Sequence, residues 1–377
     1  MYQPLSADAV AYTKNTFDEL YSLLIALCTI PAPSNQEGKR AQFVLDWFAQ
    51  FGGKVTIDAA QNAILEFNCE NSDRLTVITA HTDTVFADTT PFEPRQIGDL
   101  LYCPGVGDDT ANVAVMMMAA RYLLQNNLIP RDGLVIAANA GEEGLGNLSG
   151  IRQIMQTYSG RVARHISLDG TYAGICNKAV GSHRYRVTVT TKGGHSYSSF
   201  GNRNAIQALS TVINALYEVK LPHKGKNTFN VGTIEGGTSV NSIAQHACML
   251  YEYRSDERES LEYMQQFFMD TIKRLQSAEA NITVELLGER PCMGDVDSNA
   301  MENLVRYATK LITGVCGEVP TVHSGSTDCN IPFAMGIPAV CFGAYLGQDA
   351  HTREESLSVL SLQKGYALVM TLLNDLV

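Results

Sequence analysis

The chain has 377 residues, 45% of them apolar and 18% charged, which supplies a sizeable core and speaks against disorder. A net charge of −11 argues against nucleic acid or an anionic membrane surface as the main partner. Nine cysteines stand singly with no Cys-x-x-Cys, which fits reduced thiols better than a disulfide framework.

In chain order, helical periodicity covers 16–30 and 37–51, punctuated by Pro31, Pro33 and the Gly52-Gly53 pair. Strand-like runs follow at 54–58, 62–67 and 74–80, then a helix rich in Ala and Met over about 110–126. Leu134-Val135-Ile136-Ala137-Ala138 and His165-Ile166-Ser167-Leu168 read as two more strands. Such alternation predicts an α/β sheet with helices on both faces. The pattern then changes: strand 184–191, helix 203–219, strands 228–234 and 246–254, helix 259–278 and strand 281–287. That β-α-β-β-α-β order is a ferredoxin-like unit. The α/β pattern resumes with helix 299–313, strand 338–342 and helix 361–375. The expected organisation is one domain from 1–181 and 290–377, with a smaller one, 182–289, inserted into it. No segment resembles a signal peptide or reaches the ~20 apolar residues that span a bilayer, so a soluble cytoplasmic protein is expected.

Chemistry-bearing residues gather at predicted strand ends. In Ala80-His81-Thr82-Asp83, residues two apart on a strand face the same way, so Asp83 can orient the His81 ring while its other nitrogen binds a metal. Pro104-Gly105-Val106-Gly107-Asp108-Asp109 delivers two acids to a helix start, where an Asp either caps the helix or bridges two cations with its two oxygens. Gly141-Glu142-Glu143-Gly144 places adjacent carboxylates in opposite directions, one for a metal and one for water; a solvated acidic turn is the other reading. Asp169 closes the next strand and His351 precedes the last helix, where a turn Asp and a surface His are the ordinary readings. Taken jointly, ligands beyond the carboxyl ends of strands occupy the usual crevice of an open α/β sheet. Nitrogen and oxygen donors in this number suit two zinc ions, with cobalt or manganese as substitutes.

These motifs, in this order and over nearly the whole chain, resemble the co-catalytic dinuclear zinc amidohydrolases and exopeptidases that include peptidase T, carboxypeptidase G and the ArgE/DapE-type deacylases. The ferredoxin-like insert between the fourth and fifth ligands points to that family. The resemblance implies that Asp108 bridges, that His81 and Asp169 complete one zinc site, and that Glu143 and His351 complete the other. It makes Glu142 the general base and Asp83 the orienter of His81, with a metal-bridging hydroxide attacking the scissile carbonyl. In the insert, Lys192-Gly193-Gly194-His195-Ser196 is similar to the family segment whose His holds the oxyanion, often across a dimer interface. Asn241 and Arg254 match positions that hold substrate carboxylate or carbonyl; Ser326-Thr327-Asp328 is similar to a loop near the site. Thr110 stands where many members have Lys, and Ser199 where a Pro is common.

The implied activity is a metallopeptidase of the tripeptide aminopeptidase type acting on short peptides. The alternatives are an N-acyl amino acid amidohydrolase or a carboxypeptidase with the same centre and, outside enzymes, a non-catalytic peptide- or metal-binding descendant. A homodimer through the insert, with no nucleic acid or membrane partner, is also expected. Absence of Gly-x-Ser-x-Gly and of His-Glu-x-x-His excludes the serine-hydrolase and single-zinc motifs.

Overall fold

A computed structural model describes residues 2–277 and 280–377. The chain divides into two compact units, Met1–Ala179 with Gly294–Val377, and Val180–Met293.

The first unit is built on an eight-stranded mixed sheet. Its strand order is Val55–Ile57, Ala63–Phe67, Gly133–Asn139, Leu75–His81, Val162–Ser167, Ala339–Cys341, Gly174–Ala179 and Thr321–Gly325. The neighbours Gly133–Asn139, Leu75–His81, Val162–Ser167 and Ala339–Cys341 run parallel. Leu75–His81 and Gly133–Asn139 are buried along their whole length. That explains why they read as continuous apolar runs: a parallel strand covered on both faces needs no polar side. Leu75, Val77 and Val135 pack against Leu148, Ile151, Ile154 and Met155 of the segment around helix Ser149–Thr157. Helix Asn112–Gln125, with residues 112–123 all buried, packs against helix Val359–Asn374. Each fully buried aliphatic side chain in these layers is worth roughly 1.5–3 kcal/mol.

The predicted helix at 110–126 begins at Asn112. The preceding six residues, Val106–Ala111, form a separate turn in which Asp108 and Asp109 have non-helical backbone angles. Two aspartates favour caps and turns over helix interiors because their carboxylates compete for nearby backbone N–H groups. Helices Ala7–Asn15 and Ser149–Thr157 lie outside the predicted elements. So does a small antiparallel sheet of Gly347–Gln348, Ser356–Ser358, Leu100–Tyr102 and Arg95–Ile97. Its strands are two or three residues long, too short for an alternation to register.

The second unit is a ferredoxin-like β-α-β-β-α-β module. Its antiparallel sheet runs Asn227–Gly236, His246–Ser255, Gly181–Thr191 and Ala280–Arg290. Tyr185, Val187 and Val189 alternate into a core with Leu209 and Val212 of helix Ala205–Leu216 and Met264 and Phe268 of helix Arg258–Leu275. The Tyr185 and Phe268 rings stack at 4.4 Å. Residue 278, the last of the predicted helix 259–278, lies outside the described residues.

His165, wholly buried in the central sheet, accompanies Thr79 Oγ1 at 3.0 Å and Cys329 Sγ at 3.7 Å. Burial holds its imidazole neutral down to about 3. An unfolded chain protonates the same ring near 6.5, so this group's stabilisation is complete above 6.5 and is lost as pH falls toward 3. His165→Gln removes the effect. Between pH 7 and pH 5 the variant is expected to lose about 2 kcal/mol less stability than the parent, measured by urea unfolding at both pH values.

Candidate metal centre

Parallel strands deliver the site. His81 is the last residue of its strand, Glu142 and Glu143 follow Asn139 by three and four residues, and Asp169 lies two beyond Ser167. Asp108 comes from the turn ahead of helix Asn112–Gln125, and His351 from the segment between Gly347–Gln348 and Ser356–Ser358. His351 adopts a left-handed φ of 66°, which non-glycine residues seldom take.

Asp108 is the centre of the arrangement. Its Oδ1 lies 3.0 Å from His81 Nε2 and its Oδ2 lies 3.0 Å from His351 Nε2. His351 Nε2 is also 2.8 Å from Glu143 Oε1. Ligand atoms of Asp108, Glu143 and His351 fall within 4.8 Å of one another, as do those of His81, Asp108, Asp109 and Asp169. All donors are nitrogen or oxygen, and one carboxylate is shared by both groups.

The electrostatics fit a cationic occupant. Burial and repulsion from Asp108 push the Asp169 carboxyl up to about 6. Burial likewise raises Glu143, and lifts Asp109 well above the carboxylate range. Burial opposes ionisation of Asp108 too, but His351 and His81 hold its carboxyl well below the usual value. Hydrogen bonds to Asp108 and Glu143 raise His351 to about 11. Protons on the histidines thus hold the acids together; divalent cations between the same atoms would do so more strongly.

Asp83 does more than orient a ring. His81 Nδ1 faces the Asp83 backbone carbonyl at 3.1 Å and its Oδ1 at 3.4 Å. The carboxylate itself accepts the N–H groups of Glu142 at 3.0 Å and Glu143 at 2.9 Å, and the Ser34 hydroxyl at 2.7 Å. The two glutamates do not diverge as an extended chain would dictate. A carboxylate atom of each comes within 4.8 Å of the other and of His81.

Further residues support the arrangement, and of these Glu37, Arg40, Asn112 and Glu355 carry no local signal in the sequence. Asp109 accepts the His81 N–H at 2.8 Å and the Asn112 side-chain amide at 2.5 Å. Asn112 also donates to Gly170 O and accepts from Ala344 N–H, tying the Asp169 loop to the helix start. Buried Arg40 donates to Thr82 O at 2.8 Å and to Thr110 Oγ1 at 3.1 Å. Thr110 donates in turn to Gly105 O. Glu37 accepts the Gly141 N–H, and Glu355 accepts three N–H groups from residues 105–108. Asp328 is fully buried, takes the Asn139 side-chain amide at 2.7 Å, and is raised well above the usual range by burial and then by Glu142.

In the second unit, His195 pairs with Ser242 across a two-residue ladder, and Ser196 N–H donates to Asn241 O. His195 and Asn241 are therefore neighbours. The N–H groups of Tyr197 and Ser198 point at His195 Nδ1, which leaves Nε2 as the protonated, donating nitrogen. Arg254 lies elsewhere. It pairs with Ser182 at the start of strand Gly181–Thr191, whereas His195 follows that strand's end, about 30 Å away at ~3.3 Å per residue. Its guanidinium is held by Glu252 through Nε and Nη2, both at 3.0 Å.

Residues 77–375 match the family described as peptidase family M20/M25/M40. The chain belongs to that family. Its members are metal-dependent peptidases and amidohydrolases, and this chain is a hydrolase of that kind. It is 26% identical over 361 residues to a succinyl-diaminopimelate desuccinylase of Corynebacterium glutamicum, covering 93% of this chain and 94% of the relative. Among solved structures it resembles aminopeptidase PepT from Bacillus cereus (TM-score 0.72, 21% identity, 96% of this chain and 98% of that one). A tripeptidase from Staphylococcus aureus is similar (TM-score 0.74, 20% identity, 96% and 98%). No helix among the described residues is long and apolar enough to cross a membrane.

A shared carboxylate predicts a specific loss. Zinc or cobalt added to chelator-treated protein at a hundredfold over its Kd is expected to stabilise it by about 2.7 kcal/mol. Asp108→Asn, with one oxygen in place of two, is expected to lose most of that shift in scanning calorimetry.

Proposed function

We propose that this M20-family chain is an exopeptidase of the tripeptide aminopeptidase type, using two metal ions, most simply zinc. The observation that carries the reading is Asp108, which turns one oxygen toward His81 and the other toward His351. In this assignment His81 and Asp169 complete one metal position and Glu143 and His351 the other. Bound there, the ions supply Lewis acidity and lower the pKa of a water near the substrate carbonyl.

The chain's own groups do the rest. Glu142, its backbone N–H held by Asp83, accepts the proton of the attacking water and returns it to the leaving nitrogen. The Asp83 carbonyl, accepting from Nδ1–H, leaves His81 Nε2 unprotonated for the metal. His195 Nε2–H is suited to donate to a developing oxyanion, with Asn241 beside it. Arg254 would take a substrate carboxylate only by exchanging its Glu252 partner. Placement of His195 and Arg254 at opposite ends of one sheet favours a homodimer in which they serve different copies. The open edge strand Asn227–Gly236 is a surface such a pairing would use. The nine cysteines, all buried and held as thiols, support a reducing, cytoplasmic setting.

A second reading, N-acyl amino acid deacylation, is favoured by the desuccinylase relative, whose identity to this chain exceeds that of the two peptidase structures. A non-catalytic binding role is disfavoured because all five ligand positions and Glu142 are present.

Two experiments decide. Metal-loaded Glu142→Gln is expected to keep its metal and lose roughly 10²–10⁴-fold in turnover; near-parental activity would remove Glu142 from the role of base. Product mass spectrometry on Ala-Ala-Ala carrying an isotope-labelled first residue, its N-acetyl form and N-succinyl-diaminopimelate should show the labelled amino-terminal Ala released from the free tripeptide alone. Succinate or acetate release would instead make the chain a deacylase, and carboxy-terminal Ala a carboxypeptidase.

A further inference from the structure

We propose that Glu355 is a positioning residue that holds Asp108 and His351 in one fixed relation. The inference rests on the dinuclear reading above, in which those two residues are metal ligands.

Glu355 is almost completely buried and lies four residues after His351. Its Oε1 accepts the N–H groups of Gly107 and Asp108, and its Oε2 that of Gly105, all at 2.8 Å. One side chain therefore takes three of the four amide protons in Gly105-Val106-Gly107-Asp108. Its backbone joins the same region: Cys103 N–H donates to Glu355 O at 3.1 Å, and Ser356–Ser358 pairs with Leu100–Tyr102. The turn it cradles has no slack. Gly105 is left-handed at φ 71°, and a Cβ on Gly107 would come within 2.5 Å of the Tyr345 hydroxyl.

The stretch between His351 and Glu355 is pinned as well. Arg353 pairs with Asp88 at 2.7 Å and lies over the Phe86 and Phe92 rings at 5.0 and 5.5 Å. Stretch 351–355 is thus fixed at Arg353 and at Glu355, and its Glu355 end is bonded directly to the amide of Asp108. The consequence is geometric. Asp108 and His351 lie far apart in the sequence, and Glu355 makes their separation a property of one hydrogen-bonded unit rather than of two independent loops.

The chemistry requires a carboxylate. Three converging donors need an acceptor on both oxygens, and charge-assisted bonds are the stronger kind. A glutamine would set its NH₂ against one of the donors, and an aspartate would fall short by a methylene.

The test uses the full chain. In metal-free parent protein, the amides of residues 105, 107 and 108 are expected to resist hydrogen exchange as well as the adjoining strands do, since the cradle needs no metal; free exchange of those amides would overturn the proposal. Glu355→Gln is then compared with Glu354→Gln, an exposed neighbour paired with Arg95. Equilibrium dialysis should show metal affinity falling roughly 10–100-fold at one or both positions in Glu355→Gln. The visible bands of its cobalt form should shift, with both unchanged in Glu354→Gln. Parental affinity and an unaltered cobalt spectrum in Glu355→Gln would refute the positioning role. A parent that binds neither zinc nor cobalt would instead overturn the dinuclear reading. If Glu355→Gln does not fold, the exchange measurement on the parent still decides.

Discussion

Four acids, Asp108, Asp109, Glu143 and Asp169, are brought into one small, largely buried space, and the repulsion among them is the constraint on which the rest depends. A protein does not hold such a group together without opposing charge. Two histidine nitrogens, each 3.0 Å from a different oxygen of Asp108, supply part of the opposition. Cations at the same atoms would complete it. The fold also invests backbone donors here: Asp83 takes the amides of both glutamates, Asp109 that of His81, and Glu355 those of the turn carrying Asp108.

The proposed ligands His81, Glu143 and Asp169 lie at or just beyond strand ends. Leu75–His81, Gly133–Asn139 and Val162–Ser167 are parallel neighbours, so their carboxyl ends open on one side of the sheet, and short loops from each reach a common point. The strands themselves are apolar and rigid. Polar residues also occur within the strands, as at Thr79 and His165, but the acids gather where the chain leaves the sheet, and there they are cross-linked by hydrogen bonds between segments distant in sequence.

Much of this was legible beforehand. The buried parallel strands showed as unbroken apolar runs, and the insert as a β-α-β-β-α-β succession, because both patterns are local and periodic. His81, Glu142, Glu143 and Asp169 could be picked out because an acid or histidine at the end of an apolar strand is conspicuous, and Asp108 and His351 because the glycine-rich turn before a helix and the segment before the last helix completed the motif order. The divergence expected of Glu142 and Glu143 is not seen, since a carboxylate atom of each lies within 4.8 Å of the other and of His81. The helix expected from about 110 begins at Asn112, after a turn in which Asp108 and Asp109 leave helical geometry.

What the sequence by itself determined is the family, the two-part α/β organisation and the donor types, because these rest on residue identity and short-range period. Only the tertiary structure decided the partners. Glu355 meets Gly105, Arg40 meets Thr110, and Asn139 meets Asp328 across separations of 250, 70 and 189 residues. It also decided that His195 and Arg254 lie at opposite ends of one sheet. The physical reason is that a hydrogen bond is satisfied by whatever group the fold brings within about 3 Å, and nothing in the local sequence of a glutamate names a donor hundreds of residues away.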